Sequence, residues 1–187
     1  MDQTQLWKTQ NMYYAVHQGM RKDKYHNPDH AREFAITAGF LARIEGVDDN
    51  GIFIVTNVGV IHDYDKDEYE SLRKVTPMMR DLGYTLPEIA EIGRVSLATI
   101  VGAEPKDILE EIVQDADRAN MGRFDFLVTS DCLKEELCVP YGCIDRRKWA
   151  EHQLGILKQV RYRTKTAQEL YGPGLKYNIE LLEGILK

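Results

Sequence analysis

Apolar residues return at three- and four-residue steps along most of the chain, the period of a helix with one buried face. Strand-like alternation is nowhere strong, and no Asn-Gly or Asp-Gly pair stands between alternating runs as a hairpin signal. Asn27-Pro28 reads as a helix start, with Asn27 as cap and Pro28 in the first turn. Ala31, Phe34, Ala35, Ala38, Leu41 and Ala42 then line one face. Asp48, Asp49 and Asn50 offer caps for a helix from Gly51 to about His62, which is apolar on most sides and therefore expected at the centre. Further helices are expected over Glu68–Leu82, Pro87–Val101, Asp107–Asn120 and Phe124–Leu137. The stretch Cys138 to Cys143 reads as a loop, Asp145 to Leu170 as one long amphipathic helix, Gly172-Pro173-Gly174 as a stop, and Leu175 to Leu182 as a last helix. The pattern predicts an all-α bundle, a single domain over residues 1–187, with no linker.

Length and composition agree with a globular chain able to bury a sizeable core: 187 residues, 43% hydrophobic and 29% charged. The net charge of −6 argues against a nucleic-acid partner, whose phosphate backbone calls for a basic footprint. It leaves room for a small phosphorylated substrate if a bound cation supplies local positive charge. Met1 to Gln10 has no basic-then-apolar pattern, and the longest apolar run, Ile52 to Ile61, is about half of what a membrane span needs. A cytoplasmic protein with no membrane partner is the expectation. Cys132, Cys138 and Cys143 are odd in number and lack a Cys-x-x-Cys pair, which disfavours a zinc knuckle. They read as small core or surface residues, with a redox switch or local disulfide as the alternative.

The candidate chemistry lies in three short groups: Tyr25-His26-Asn27-Pro28-Asp29-His30, His62-Asp63, and Asp115-Ala116-Asp117. Two imidazoles and two carboxylates suit a divalent ion and leave positions for water. Adjacent helical residues point about 100° apart, so His62 and Asp63 reach one ion only from a helix end or a distorted turn. His30 is expected early on the second helix and Asp117 on a third, a placement typical of metals inside helical bundles.

The order His, His-Asp, Asp resembles the HD superfamily of metal-dependent phosphohydrolases. That resemblance implies a helical bundle in which one divalent ion (manganese, cobalt, nickel, iron, zinc or magnesium) is bound by His30, His62, Asp63 and Asp117. The family's ligand stands in an Ala-Asp-basic context, matched by Ala116-Asp117-Arg118, so Asp117 is taken over Asp115, which is left as a surface charge or capping partner. No histidine lies between Asp63 and Asp117, which disfavours the dinuclear HD subgroups. A second metal held only by Asp63 and waters stays open.

Tyr25 to Ala31 resembles the corresponding stretch of cyclic-nucleotide phosphodiesterases, which implies that His26 is the general acid protonating a leaving oxygen. A closer resemblance, to bacterial predicted HD phosphohydrolases, covers nearly the whole chain. It rests on His62-Asp63-Tyr64-Asp65, Asp67-Glu68-Tyr69-Glu70-Ser71, Asp115 to Gly122, Tyr162-Arg163-Thr164 and Asn178 to Leu181. The chain departs from that pattern in a shorter loop after His-Asp, in Asp67 where Asn is usual, and in lacking a histidine within Leu97 to Ala103. Lys66 stands where alarmone hydrolases carry Glu, which ranks that activity low.

Asp65 and Glu68 are candidates for positioning or deprotonating a water, the plain alternative being a solvated helix start. Lys66 and Arg118 are candidates for phosphate oxygens, with surface charge as the alternative. Arg21, Lys22 and Lys24 are expected near the entrance. The resemblance implies hydrolysis of a phosphate ester, the substrate being a nucleotide or related small phosphorylated metabolite. The rivals are a non-catalytic module that binds nucleotide and metal, and an HD-type oxygenase.

Overall fold

The computed structural model describes residues 1–187, apart from the side chain of Tyr141. Among the described residues the regular structure is all helical. The helices are α1 (Gln3–Gly19), α2 (Pro28–Ile44), α3 (Asp49–Ile61), α4 (Glu68–Asp81), α5 (Leu86–Ser96), α6 (Ile108–Asp117), α7 (Phe126–Tyr141), α8 (Arg146–Leu157) and α9 (Lys165–Leu186), with 3₁₀ turns at Leu97–Thr99 and Ala119–Gly122. The all-α expectation holds. No helix is long and apolar enough to cross a membrane among these residues.

The chain forms two compact units, one of Met1–Lys22 and His26–Asp117, the other of Asp23–Tyr25 and Arg118–Lys187. In the first, α3 is the central element, packed against α1, α2, α4, α5 and α6. From Gly51 to Ile61 only Thr56 escapes full burial, as an apolar-on-all-sides helix requires. All six apolar positions expected along α2 are buried, with Leu41, Ala38 and Ala42 at 0% exposure. Burial of such faces supplies the main stabilisation, about 25 cal/mol per Å² of apolar surface.

Helices α2 and α3 approach to backbone contact. A Cβ on Gly59 would lie 2.4 Å from the Cα and N of Ala35, and one on Gly39 would lie 2.9 Å from Thr56 Oγ1. Helix α1 is tied down by polar groups. Lys8 Nζ meets both carboxylate oxygens of Glu88 at 2.8 and 3.0 Å, and Asn57 Nδ2 donates to Thr9 Oγ1 at 2.9 Å. Tyr84 donates its hydroxyl to Asn57 Oδ1 at 2.6 Å, which closes the network. Buried polar groups so satisfied fix register as well as position.

The second unit has its own core of Phe126, Ala150, Leu157 and Leu182, flanked by Met121, Leu154 and Ile179. Three expectations are corrected here. The segment Asp145 to Leu170 is not one helix: α8 ends at Leu157, and α9 starts after the cap Thr164. Between them Val160, Tyr162 and Thr164 are buried while Arg161 and Arg163 are exposed, an extended alternation that outweighs helical propensity. Gly172-Pro173-Gly174 is not a stop, and α9 runs through it. A Cβ on Gly174 would lie 1.9 Å from the Gly122 carbonyl oxygen, so bare backbone is needed for α9 to rest on the 3₁₀ turn. Asn178, one turn on, donates to the carbonyls of Met121 and Arg123, both at 2.9 Å. Finally, α7 continues past Leu137 through Val139 and Pro140 to a cap at Gly142, whose φ of 80° ends it.

Candidate metal centre

Local signals in the sequence deliver each site residue. Asn27 Oδ1 accepts from the backbone N–H of Asp29 at 2.9 Å and of His30 at 3.1 Å, so the cap that starts α2 also fixes His30 in its first turn. Helix α3 ends at Ile61. The His62 N–H still bonds Val58 O at 2.9 Å, after which Asp63 adopts a φ of 56°, in the left-handed region, and the Tyr64 N–H returns to Ile61 O at 3.2 Å. This is the distorted turn that lets two adjacent residues aim at one point. Left-handed backbone costs a non-glycine residue about 1 kcal/mol, and Asp is among the residues that tolerate it best. Asp117 is the last residue of α6.

The following loop is pinned from α4. Ser71 Oγ accepts from Asp65 N at 2.8 Å, and Asp67 caps α4 by accepting from Glu70 N at 3.0 Å. Asp67 therefore provides there the cap that an Asn could also provide.

Asp63 Oδ2 sits at the focus. It lies 3.0 Å from His62 Nε2, 3.5 Å from His30 Nε2 and 3.8 Å from His26 Nε2, while His62 Nε2 is also 3.2 Å from Asp117 Oδ1. Donor atoms of His30, His62 and Asp117 lie within 4.8 Å of one another, and so do those of His62, Asp63 and Glu68. Metal–ligand bonds of about 2.0–2.2 Å place ligands at right angles roughly 3 Å apart and opposite ligands just over 4 Å apart. The observed spacings fall in that range. Asp63 Oδ2 is buried and accepts no well-formed hydrogen bond despite the three imidazole nitrogens around it. The two imidazoles and the carboxylates around this oxygen make a donor set that fits a divalent ion.

The ring of His62 is only 6% exposed and meets Phe34 edge-on at 4.7 Å between centroids. Its Nδ1 is buried without a partner, while Nε2 faces the two carboxylates. Next to it, the His26 ring is 27% exposed and stands edge-on to His30 at 5.9 Å. Of the three imidazoles, His26 is thus the farthest from Asp63 and the most open.

Burial opposes charge on His62, but the carboxylates of Asp63 and Asp117 outweigh it and hold the imidazole well above its ordinary value. The same burial would raise Asp63 and Asp117. The imidazoles hold both below the usual carboxylate range instead. Burial raises Glu68, with the negative charges of Asp63 and Asp117 acting in the same sense and His62 against.

The remaining sequence candidates separate clearly. Asp115 is not a surface charge: it is wholly buried, and the expected exposed role is corrected. Its position two residues from Asp117, about 200° round α6, turns it into the core. The carboxylate of Asp65 is held by Lys74 and by the Lys66 N–H at 2.7 Å, outside the clusters of donor atoms. Glu68 is in one of them. Lys66 is exposed in the loop after Asp63. Arg118 begins the main segment of the second unit, where its carbonyl accepts from the Tyr162 hydroxyl at 3.1 Å. Lys24 pairs with Glu135 at 3.6 Å in that same unit. Sequence reasoning missed Phe34 as the wall of His62. It also missed the close packing of Tyr64, whose hydroxyl lies 2.4 Å from where a Cβ on Gly19 would be. No pattern of residue types marks either contact.

No family model, curated protein or solved structure matches the chain.

Proposed function

We propose that the chain is a metal-dependent phosphohydrolase of the HD type, acting on a nucleotide or related small phosphate ester. The observation that carries this is that His62 joins two donor clusters, one with His30 and Asp117 and one with Asp63 and Glu68, and that the buried Asp63 Oδ2 faces both His62 and His30. His30, His62, Asp63 and Asp117 hold one divalent ion. Such an ion, when bound, acts as a Lewis acid toward a phosphoryl oxygen and lowers the pKa of a water.

The chain's own residues do the rest. His26, in the loop before the α2 cap, is the most exposed of the three imidazoles and lies outside both clusters of donor atoms. It serves as the acid that gives a proton from its imidazole to the leaving oxygen. Glu68, which shares a donor cluster with His62 and Asp63, accepts a proton from the attacking water, while Asp65 pairs with Lys74 beside it. Lys66, exposed in the loop after Asp63, supplies positive charge to the phosphate. The test is phosphate release from a panel of nucleotides and nitrophenyl esters, with each divalent metal added in turn. Release that needs metal and vanishes in Asp63→Ala supports the proposal. Stoichiometric metal binding with no release from any ester would mark a binding module instead.

A further inference from the structure

Helix α1 ends at Gly19, against the residue that follows Asp63. The Met20 N–H closes that end on Val16 O at 2.8 Å, and the bond from Asn57 Nδ2 to Thr9 Oγ1 ties α1 to α3, so Gly19 stands on a fixed wall. Its backbone does not call for glycine, because its φ is not positive. Its neighbour does. A Cβ on Gly19 would lie 2.4 Å from the Tyr64 hydroxyl oxygen, 3.3 Å from Cζ and 3.4 Å from Cε2 of the same ring. Real Cβ contacts essentially never fall below 3.0 Å, so any side chain at residue 19 displaces the phenol. The half-buried ring of Tyr64 is thus seated on bare backbone.

We propose that Gly19 and Tyr64 are positioning residues for the metal centre: the phenol ring, seated on the end of α1, holds the left-handed turn that points Asp63 at His62 and His30. The inference rests on the reading of that centre as a cation site. Asp63 has a φ of 56°, a conformation that persists in a non-glycine residue only where its surroundings over-determine it. One such constraint is the Tyr64 N–H, which donates to Ile61 O at 3.2 Å and closes the turn around Asp63. A second is the Asp65 N–H, which donates to Ser71 Oγ at 2.8 Å. The backbone is therefore pinned on both sides of Tyr64, and the contact with Gly19 supplies the third constraint. A displaced hydroxyl has two outlets, the side-chain torsions and the turn itself. Off-rotamer torsions cost energy, so part of the displacement passes into the turn. Asp63 Oδ2, 3.0 Å from His62 Nε2 and 3.5 Å from His30 Nε2, then moves off the focus.

The test is cobalt(II) titration of the full chain and its variants, read by calorimetry and by the visible d–d bands of the bound ion, with the fold checked by circular dichroism. Gly19→Ala should bind cobalt about tenfold more weakly, the low end of what loss of a group supporting a ligand costs, and with altered bands. Tyr64→Phe keeps the ring, lacks the obstructing oxygen and should bind like the wild type. Gly19→Ala combined with Tyr64→Phe should recover most of the loss. Recovery on removing one oxygen separates positioning from a general effect on α1. Tyr64→Ala, which empties the seat, should also weaken cobalt binding, and it decides the matter if Gly19→Ala fails to fold. Wild-type affinity and bands in Gly19→Ala or in Tyr64→Ala, or no recovery in the double variant, would overturn the proposal and leave the cation reading intact. A wild-type chain that takes up no cobalt would overturn the cation reading, and this proposal with it.

Discussion

Gly59 and Ala35 touch backbone to backbone: a methyl group on Gly59 would stand 2.4 Å from the Ala35 Cα, where real Cβ contacts essentially never fall below 3.0 Å. This contact fixes the spacing of α2 and α3, and with it that of His30 and His62, five residues before Ala35 and three after Gly59. Gly59→Ala should gain about 1 kcal/mol of helix propensity, and overpacking should outweigh that by costing about 1–3 kcal/mol or more. Chemical denaturation should show a net loss of stability, and metal titration a weakening of about tenfold, as 1.4 kcal/mol implies. A stability gain would mean that the helices can part without consequence.

Asp115 and Asp117 sit on one helix with opposite fates. Asp117→Asn should abolish metal binding and, by removing a carboxylate that holds the charged His62 at 3.2 Å, also lower the thermal midpoint of the metal-free chain. Asp115→Asn, at a wholly buried position, should lower stability by about 1–3 kcal/mol and keep the metal. Elemental analysis and thermal melts of the two variants check this. The reverse pattern would place the ligand at Asp115.

What was legible in the sequence follows from how local each signal is. The Asn27-Pro28 start and the six buried positions of α2 are set within the helix itself, and the structure reproduces them. The Ala-Asp-Arg context likewise led to Asp117, which the geometry groups with His30 and His62. Gly172-Pro173-Gly174 misled because its role is tertiary: Gly174 is glycine so that α9 can reach the Gly122 carbonyl. Val160-Arg161-Tyr162-Arg163-Thr164 did carry an alternating signal, overlooked within a longer helical reading. That Asp65 pairs with Lys74 while Glu68 joins a donor cluster was not legible, because it depends on the reach of Lys74 across a turn, nine residues from Asp65.

That difference is testable under the proposed activity. Glu68→Gln should keep metal and lower turnover by about 10²–10⁴-fold, as loss of a proton-transfer group does. Asp65→Asn should change turnover only a few-fold, because its carboxylate already serves Lys74 and the Lys66 N–H. Steady-state kinetics on the same ester compares them. A larger effect at Asp65 would return the base to that residue.

The pKa shifts give a pH dependence of definite sign. His62 is raised, so its contribution to the metal-free fold is complete below its ordinary 6.5 and fades as pH rises through its higher folded value. Asp63 and Asp117 are lowered, so theirs is present above 3.8 and fades as pH falls through their lower folded values. The cluster therefore stabilises the metal-free protein most between the ordinary values of 3.8 and 6.5. A cation needs the neutral His62 nitrogen, so binding should release a proton and tighten from about pH 6 to about pH 8. Calorimetry in two buffers of different ionisation heat measures that proton. Binding without proton release would mean that His62 is neutral before the metal arrives.

The most direct measurement is metal content. Protein dialysed against a mixture of divalent metals and then freed of loosely bound ions should hold about one equivalent per chain by elemental analysis. Asp63→Ala, folded by circular dichroism, should hold none, and His26→Ala should hold as much as the wild type. Equal metal in the wild type and in Asp63→Ala, or no metal in either, would contradict a cation centre at His30, His62, Asp63 and Asp117.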